Sequence, residues 1–238
     1  MRLAIAAVAS LIAIPVTAGD ARTTRTRIAQ SQPLVALFGA HLARLRPTTS
    51  SRVVASVRSV RPITGARTTL PVLARRSDRE GRTWLRVRLP GRVLSGAAPP
   101  HTGWIRSFRT LRSATPWHIV VDRALRRVLV YRGGRLVRRL PAIVGKPSTP
   151  TPPGEFFVEE NVRLSHGQPG APFALATSAR SSVLQEFDGG PGQIALHGLI
   201  GVGGQLGTAV SHGCVRLGDP GIRWLAQRIT PGVPVTIR

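Results

Sequence analysis

Past residue 50 the chain is built of short runs in which apolar and polar residues alternate, separated by glycine and proline, and a single later stretch has a helical period. Alternation sends successive side chains to opposite faces of a strand, so this pattern dictates sheets with one buried face. Leu85, Val87 and Leu89 alternate with Trp84, Arg86 and Arg88, which predicts a strand with the first set inside and the second outside. Further strands are expected at Val53–Arg58, Thr68–Leu73, Gly103–Phe108, Ile119–Asp122, Leu125–Tyr131, Leu136–Val144, Glu155–Glu160, Phe173–Thr177, Gln193–His197 and Val233–Ile237. The one clear helix has Ile222, Leu225, Ala226 and Ile229 on one face, Asp219 as its cap, Pro220 in its first turn and Pro231-Gly232 as its stop. A shorter helix is expected within Pro33–Arg46, where Leu34, Leu37, Phe38, Leu42 and Leu45 fit one face. The fold class is therefore mainly β.

Charge bears on the partner. The 34 basic residues, all arginine except Lys146, outnumber 10 acidic ones and give a formal charge of +24. Such a field attracts polyanions of any kind. Nucleic acid is disfavoured, because the arginines are spread along the chain and aromatics are only 5% of it. The first residues point the same way. Met1-Arg2, an uncharged and mostly apolar run from Leu3 to Ile14, and Val16-Thr17-Ala18 have the layout of a cleaved secretory signal over residues 1–18. Export is expected, with no permanent membrane span, since no later stretch reaches about 18 consecutive apolar residues. Residues 19–50 are read as a linker holding the short helix.

In an exported protein cysteines usually come in pairs, yet Cys214 stands alone and cannot form an intramolecular disulfide. Its surroundings suggest chemistry. Ser211-His212-Gly213-Cys214-Val215-Arg216-Leu217 is preceded by Ala195-Leu196-His197-Gly198. A thiol is a strong nucleophile as the thiolate, which a nearby imidazole or positive field favours. Glycines beside both histidines permit tight turns that aim backbone amides at one point, as an oxyanion hole requires.

These residues resemble the signature of the L,D-transpeptidase (YkuD-type) catalytic domain: His-Gly, a modest gap, then Ser/Thr-His-Gly-Cys with Asn or Arg two residues on. Thr149-Pro150-Thr151-Pro152-Pro153-Gly154-Glu155-Phe156 resembles the family's turn before a central strand, and Leu206-Gly207 and Gly232-Val233-Pro234-Val235 are also similar. The resemblance covers residues 116–238 and implies a YkuD-like β-sandwich or barrel with one main helix. It implies Cys214 as nucleophile, His197 as general base, and the Gly198 carbonyl as the group orienting the imidazole. It further implies an oxyanion hole from the amides of His212, Gly213 and Cys214. Ser211 and the His212 ring would support the loop, and Arg216 would hold the site or meet a substrate carboxylate. The implied reaction is acyl transfer on peptidoglycan stem peptides. A tetrapeptide donor loses its terminal D-alanine to form a cysteine thioester, and the side-chain amine of a diamino acid on a second stem resolves it into a 3→3 cross-link. No cofactor is implied. Upstream, Gly81-Arg82-Thr83-Trp84-Leu85-Arg86-Val87-Arg88 with Gly103-Trp104-Ile105 resembles a bacterial SH3-like domain over residues 51–112, either wall-binding or a spacer.

Other readings compete at each position. Cys214 could be a buried structural thiol, and His197, His212 and Cys214 could ligate zinc, although no metal site is expected from three ligands at this spacing without a second cysteine. Ser165-His166-Gly167 copies part of the signature without the cysteine and is read as a loop near the substrate groove. Asp188 is read as the start of a turn. Trp84, Trp104 and Trp117 could stack on sugars but suit a core as well. Trimming of stems by an L,D-carboxypeptidase and a non-catalytic wall-binding scaffold are the alternative functions, and anionic wall polymers are a possible second partner.

Overall fold

The computed structural model describes residues 28–94, 98–186 and 189–238. The expected signal segment at 1–18 and the turn residue Asp188 lie outside the described residues.

The first unit is a sheet of seven strands: β1 (Gln32–Leu37), β2 (His41–Arg44), β3 (Val53–Val57), β4 (Thr69–Ser77), β5 (Thr83–Arg88), β6 (Thr102–Arg106) and β7 (Thr110–Thr115). Their order is β3-β2-β6-β5-β4-β1-β7. The helix expected within Pro33–Arg46 is instead the pair β1 and β2. The apolar spacing there fits a helix only if Phe38, Leu42 and Leu45 are counted, and those three are exposed. The buried residues Val35 and Leu37, then His41 and Ala43, follow period two on either side of Gly39. β1 pairs along its whole length with β7, a strand the sequence pattern did not reveal, so the sheet begins well before residue 51.

Trp84 also corrects the simple alternation of β5. It is buried rather than outward-facing, and its indole Nε1 donates to Asp78 Oδ2 at 2.8 Å. Asp78 closes the β4–β5 turn by accepting from the amides of Glu80 and Arg82 and from Arg82 Nε. Burial pushes the Asp78 carboxyl up, but the donors Trp84 and Arg82 outweigh it and hold it well below the usual carboxylate range.

The second unit holds β8 (Trp117–Asp122), β9 (Arg127–Arg132), β10 (Arg135–Gly145), β11 (Gly154–Arg163), β12 (Phe173–Arg180), β13 (Gln193–His197), β14 (Ala209–Ser211), β15 (Val215–Leu217), α1 (Asp219–Ala226) and β16 (Pro234–Ile237). The order is β14-β10-β15-β13-β12-β11-β16-β8-β9, and β9 pairs back onto β10. The sheet thus closes on itself. Two long strands make its corners. β10 runs beside β9 up to Pro141, beside β15 at Ala142 and Ile143, and beside β14 at Val144 and Gly145. β11 runs beside β16 over Gly154–Phe157 and then beside β12. Closure leaves few free edges, and the interior is filled by Ile119, Val121, Val144, Val158, Leu175, Leu196, Val215 and Leu217, with Ile222, Leu225 and Ile229 from α1.

Asp219 does not cap α1. The N-cap is Gly218, and the Asp219 carboxylate instead accepts from Arg223 Nε at 2.9 Å. The helix also ends sooner than Pro231 requires. Asn161 Nδ2, on β11, donates to the carbonyls of Ala226 and Ile229 at 2.7 and 3.0 Å and takes up groups a longer helix would need.

His118 Nε2 lies 2.8 Å from Thr236 Oγ1 between β8 and β16. Burial, with a smaller contribution from Arg88, lowers its pKa to about 4. The unfolded chain binds a proton near pH 6.5 that the folded protein refuses until about pH 4. Stability from this site is therefore complete above 6.5 and declines as pH falls through that window, by on the order of 2–3 kcal/mol in all. Urea unfolding between pH 7 and 4 is expected to show this loss, reduced in His118→Gln.

Candidate active site

β13 and β15 lie side by side and parallel, with Leu196 opposite Val215 and His197 opposite Arg216. Leu196 and Val215 are both fully buried in the core. Alternation therefore places Ala195, His197, Cys214 and Arg216, all half-buried, together on the other face. Continuing the register puts Cys214 beside Ala195, with His197 one pleat further on. With strands about 4.8 Å apart and alternate residues about 6.6 Å apart, the Cα atoms of Cys214 and His197 are about 8 Å apart, a gap an imidazole and a thiol can close.

The sulfur is held by β13. The Cys214 thiol donates to the Gln193 carbonyl at 3.8 Å, and the Ala195 amide donates to the sulfur. His197 Nδ1 lies 2.8 Å from the Gly198 carbonyl oxygen. A carbonyl can only accept, so Nδ1 carries the proton of the neutral ring and Nε2 keeps its lone pair. Burial is the main influence on both groups: it pushes the thiol pKa up and the imidazole pKa down. Arg216 lowers both, by favouring thiolate and disfavouring imidazolium, and the Gly198 carbonyl partly offsets the fall at His197. Both shifts favour the uncharged forms, a neutral thiol and a neutral imidazole.

The approach to Cys214 is a tight turn. Gly213 has φ +119°, and a Cβ there would lie 2.9 Å from Ile194 Cδ1, so only glycine fits without strain. Ser211 Oγ, fully buried, donates to the Cys214 carbonyl at 2.6 Å and accepts from the Gly213 amide at 3.1 Å. Of the three amides expected to form an oxyanion hole, that of Gly213 is already engaged by Ser211.

The Thr149–Phe156 segment braces this turn, a role its sequence did not disclose. Thr151 Oγ1 donates to the Gly213 carbonyl at 2.8 Å and accepts from the Gly145 amide at 2.9 Å. Thr149 Oγ1 and the Lys146 amide both donate to the Ser211 carbonyl, at 3.3 and 2.9 Å.

His197 is enclosed by the β11–β12 connection. A Cβ on Gly170 would lie 2.8 Å from His197 Nδ1, and one on Gly198 would lie 1.9 Å from the Ala171 carbonyl oxygen. The Gly198 amide donates to Gly170 O and the Gly170 amide to Ile200 O, at 2.8 and 2.7 Å, lacing the two loops together. Ser165-His166-Gly167 sits at the exposed end of this connection. Arg216 Nη1 donates to Val202 O at 2.9 Å and Gly203 O at 3.3 Å, so the guanidinium secures the 199–208 loop beside the site. His212 is exposed at the turn. Among the described residues no cluster of three or more potential metal ligands occurs, so His197, His212 and Cys214 are not gathered as a zinc set. Of the flagged tryptophans, Trp84 is core, while Trp104 and Trp117 are half-buried. Two clefts, of about 520 and 550 Å³, lie over β5 and β7 and between Leu34 and Trp117, away from the cysteine.

The segment that carries these residues matches a known family. Residues 116–237, just over half the chain, match the model of the YkuD family, the L,D-transpeptidase catalytic domain. The chain is 30% identical over 122 residues to YkuD of Bacillus subtilis, covering 51% of this chain and 66% of that protein. It is 30% identical over 116 residues to L,D-transpeptidase 1 of Mycobacterium tuberculosis, covering 45% of each. The matches thus span less than two thirds of either relative. Among solved structures, an L,D-transpeptidase from Mycobacterium smegmatis aligns with 66% of this chain and 90% of its own, at 19% identity and a TM-score of 0.41. With the histidine, the cysteine and the turn between them all on the matched segment, the chain belongs to the YkuD family of L,D-transpeptidase catalytic domains.

Proposed function

We propose that the protein is an extracytoplasmic L,D-transpeptidase that forms 3→3 peptidoglycan cross-links through a Cys214 thioester. The observation that carries the reading is the juxtaposition of Cys214 and His197 on one face of paired strands, with His197 Nδ1 fixed on the Gly198 carbonyl. In the first half-reaction the sulfur attacks the carbonyl carbon of the third stem residue while its proton passes to His197 Nε2. The oxygen becomes negative and is met by backbone amides of the turn that carries Cys214 and by the field of Arg216. Collapse breaks the C–N bond, the imidazolium returns its proton to the departing D-alanine amine, and a thioester remains. In the second half, the side-chain amine of a diamino acid on another stem attacks, gives its proton to His197, and expels the thiolate.

Burial suits this order of events. A neutral resting thiol avoids an uncompensated buried charge, and a depressed imidazole pKa keeps the base unprotonated at neutral pH. Water in place of the amine would give an L,D-carboxypeptidase. We propose further that the first unit is SH3-like and serves either to bind the wall or as a spacer, and that the whole chain's charge of +24 draws it to anionic wall polymers. No helix among the described residues is long and apolar enough to cross a membrane.

Incubation with tetrapeptide muropeptides decides between these activities. Dimers joined between third residues, absent with Cys214→Ala, are the expected products. Tripeptides alone would make the protein a carboxypeptidase, and unchanged substrate would favour the scaffold.

A further inference from the structure

Two adjacent carboxylates, Glu159 and Glu160, are each 1% exposed at the seam between the units. Strands normally send neighbouring residues to opposite faces, but the register of β11 shifts between Val158 and Glu160, so both side chains turn inward. In a chain with only 10 acidic residues, two buried side by side require a compensating structure. The first unit supplies much of it. Arg61 forms an ion pair with Glu159 Oε2, and the Gly91 amide donates to Glu159 Oε1 at 2.8 Å. The amide and hydroxyl of Thr64 both donate to Glu160 Oε2 at 2.8 Å. From the second unit, Arg180 Nη2 lies 3.4 Å from Glu159 Oε2.

The remaining donor to Glu159 leads to the active site. Gln193 Nε2 donates to Glu159 Oε2 at 3.4 Å and to Thr177 O at 2.9 Å. Gln193 is the first residue of β13, and its own carbonyl accepts the Cys214 thiol. A continuous path therefore runs from Arg61 and Gly91 through Glu159 and Gln193 to the sulfur.

We propose that Glu159 is a positioning residue for the nucleophile. By tethering Gln193 it fixes the start of the strand that holds the Cys214 sulfur, and it makes that geometry depend on the first unit through Arg61 and Gly91. The proposal rests on Cys214 being the nucleophile, but its main readout, reaction of the thiol with a small electrophile, is independent of cross-linking.

The test uses the full chain with Glu159→Gln, Arg61→Gln and Arg61→Lys, and Thr64→Val as a control that weakens the same seam at Glu160 only. Iodoacetamide alkylation of Cys214 is followed across pH, with kcat and KM for thioester formation and the melting temperature. Glu159→Gln and Arg61→Gln are expected to lower kcat about tenfold with KM changed by less than about twofold, as misplacement of a reacting group does. Both are expected to displace the midpoint of the alkylation profile, Arg61→Lys to restore most of the rate, and Thr64→Val to lower the melting temperature alone. If Glu159→Gln fails to fold, Arg61→Gln carries the test. The proposal is overturned if the glutamine variants melt earlier but keep the parental alkylation profile and kcat, or if Thr64→Val moves the profile as far as they do. Absence of cross-linking by the parent protein would count against the transpeptidase reading and leave the alkylation comparison intact.

Discussion

Replacing His197 by glutamine is expected to slow acylation of Cys214 by about 10²- to 10⁴-fold, the range for loss of a positioned general base. The loop is tied by backbone hydrogen bonds, Gly198 N–H to Gly170 O at 2.8 Å and Gly170 N–H to Ile200 O at 2.7 Å, so it should stay closed without the imidazole. Glutamine cannot accept the thiol proton at neutral pH. Because burial, chiefly, raises the thiol pKa, little thiolate forms unaided at pH 7, and the base cannot be bypassed there. The variant should regain rate as pH rises and hydroxide ionises the thiol. In the parent protein the acid limb of the rate profile should fall below the ordinary histidine value of about 6.5, because burial lowers the imidazole pKa. Stopped-flow acylation rates from pH 5 to 10 check both statements. An acid limb at or above 6.5 would mean an imidazolium stabilised beside a thiolate, contrary to the neutral pair.

Gly198→Ala is expected to have the largest effect on stability. The added Cβ would meet the Ala171 carbonyl oxygen at 1.9 Å and the Gly170 carbonyl oxygen at 3.1 Å, both backbone atoms that no rotamer change can move. Relief requires the 164–172 connection or the 198–200 loop to shift, and each is tied to the other by the Gly198-to-Gly170 and Gly170-to-Ile200 hydrogen bonds. Overpacking of this kind costs about 1–3 kcal/mol, and the severity of the contact places this case at or beyond the upper end. The same shift moves the carbonyl that sets the His197 tautomer, so thioester formation should fall with stability. Chemical denaturation and alkylation of Cys214 measured on one preparation would show whether the two losses occur together.

The sequence displayed the chemistry of the site more readily than its support. Cys214, His197 and the glycines beside them sit in two short motifs, and the expected strand Gln193–His197 is β13, whereas its partner β15, only three residues long, carries too short an alternation to be outlined. What it hid were contacts made across long separations. Thr151 braces the Gly213 turn from 62 residues away, and Arg61 reaches Glu159 across 98. Neither leaves a periodic trace. Glu159-Glu160 did leave one, as two adjacent carboxylates in a strand otherwise expected to alternate, a mark of a bulge that the pattern reading passed over. The helix expected within Pro33–Arg46 failed for a related reason: exposed apolar residues, Leu42 on the outer face of β2 and Phe38 and Leu45 beside the strands, completed a helical spacing by coincidence, while pairing with β7 decided the backbone of β1.

The most direct measurement is the intact mass of the purified protein after mixing with a tetrapeptide stem. The expected result is an adduct equal to the stem minus D-alanine, mapped by digestion to Cys214, lost on adding a diamino-acid acceptor and absent from Cys214→Ala. An unmodified Cys214 in protein that consumes the stem, or an adduct on any other residue, would contradict it.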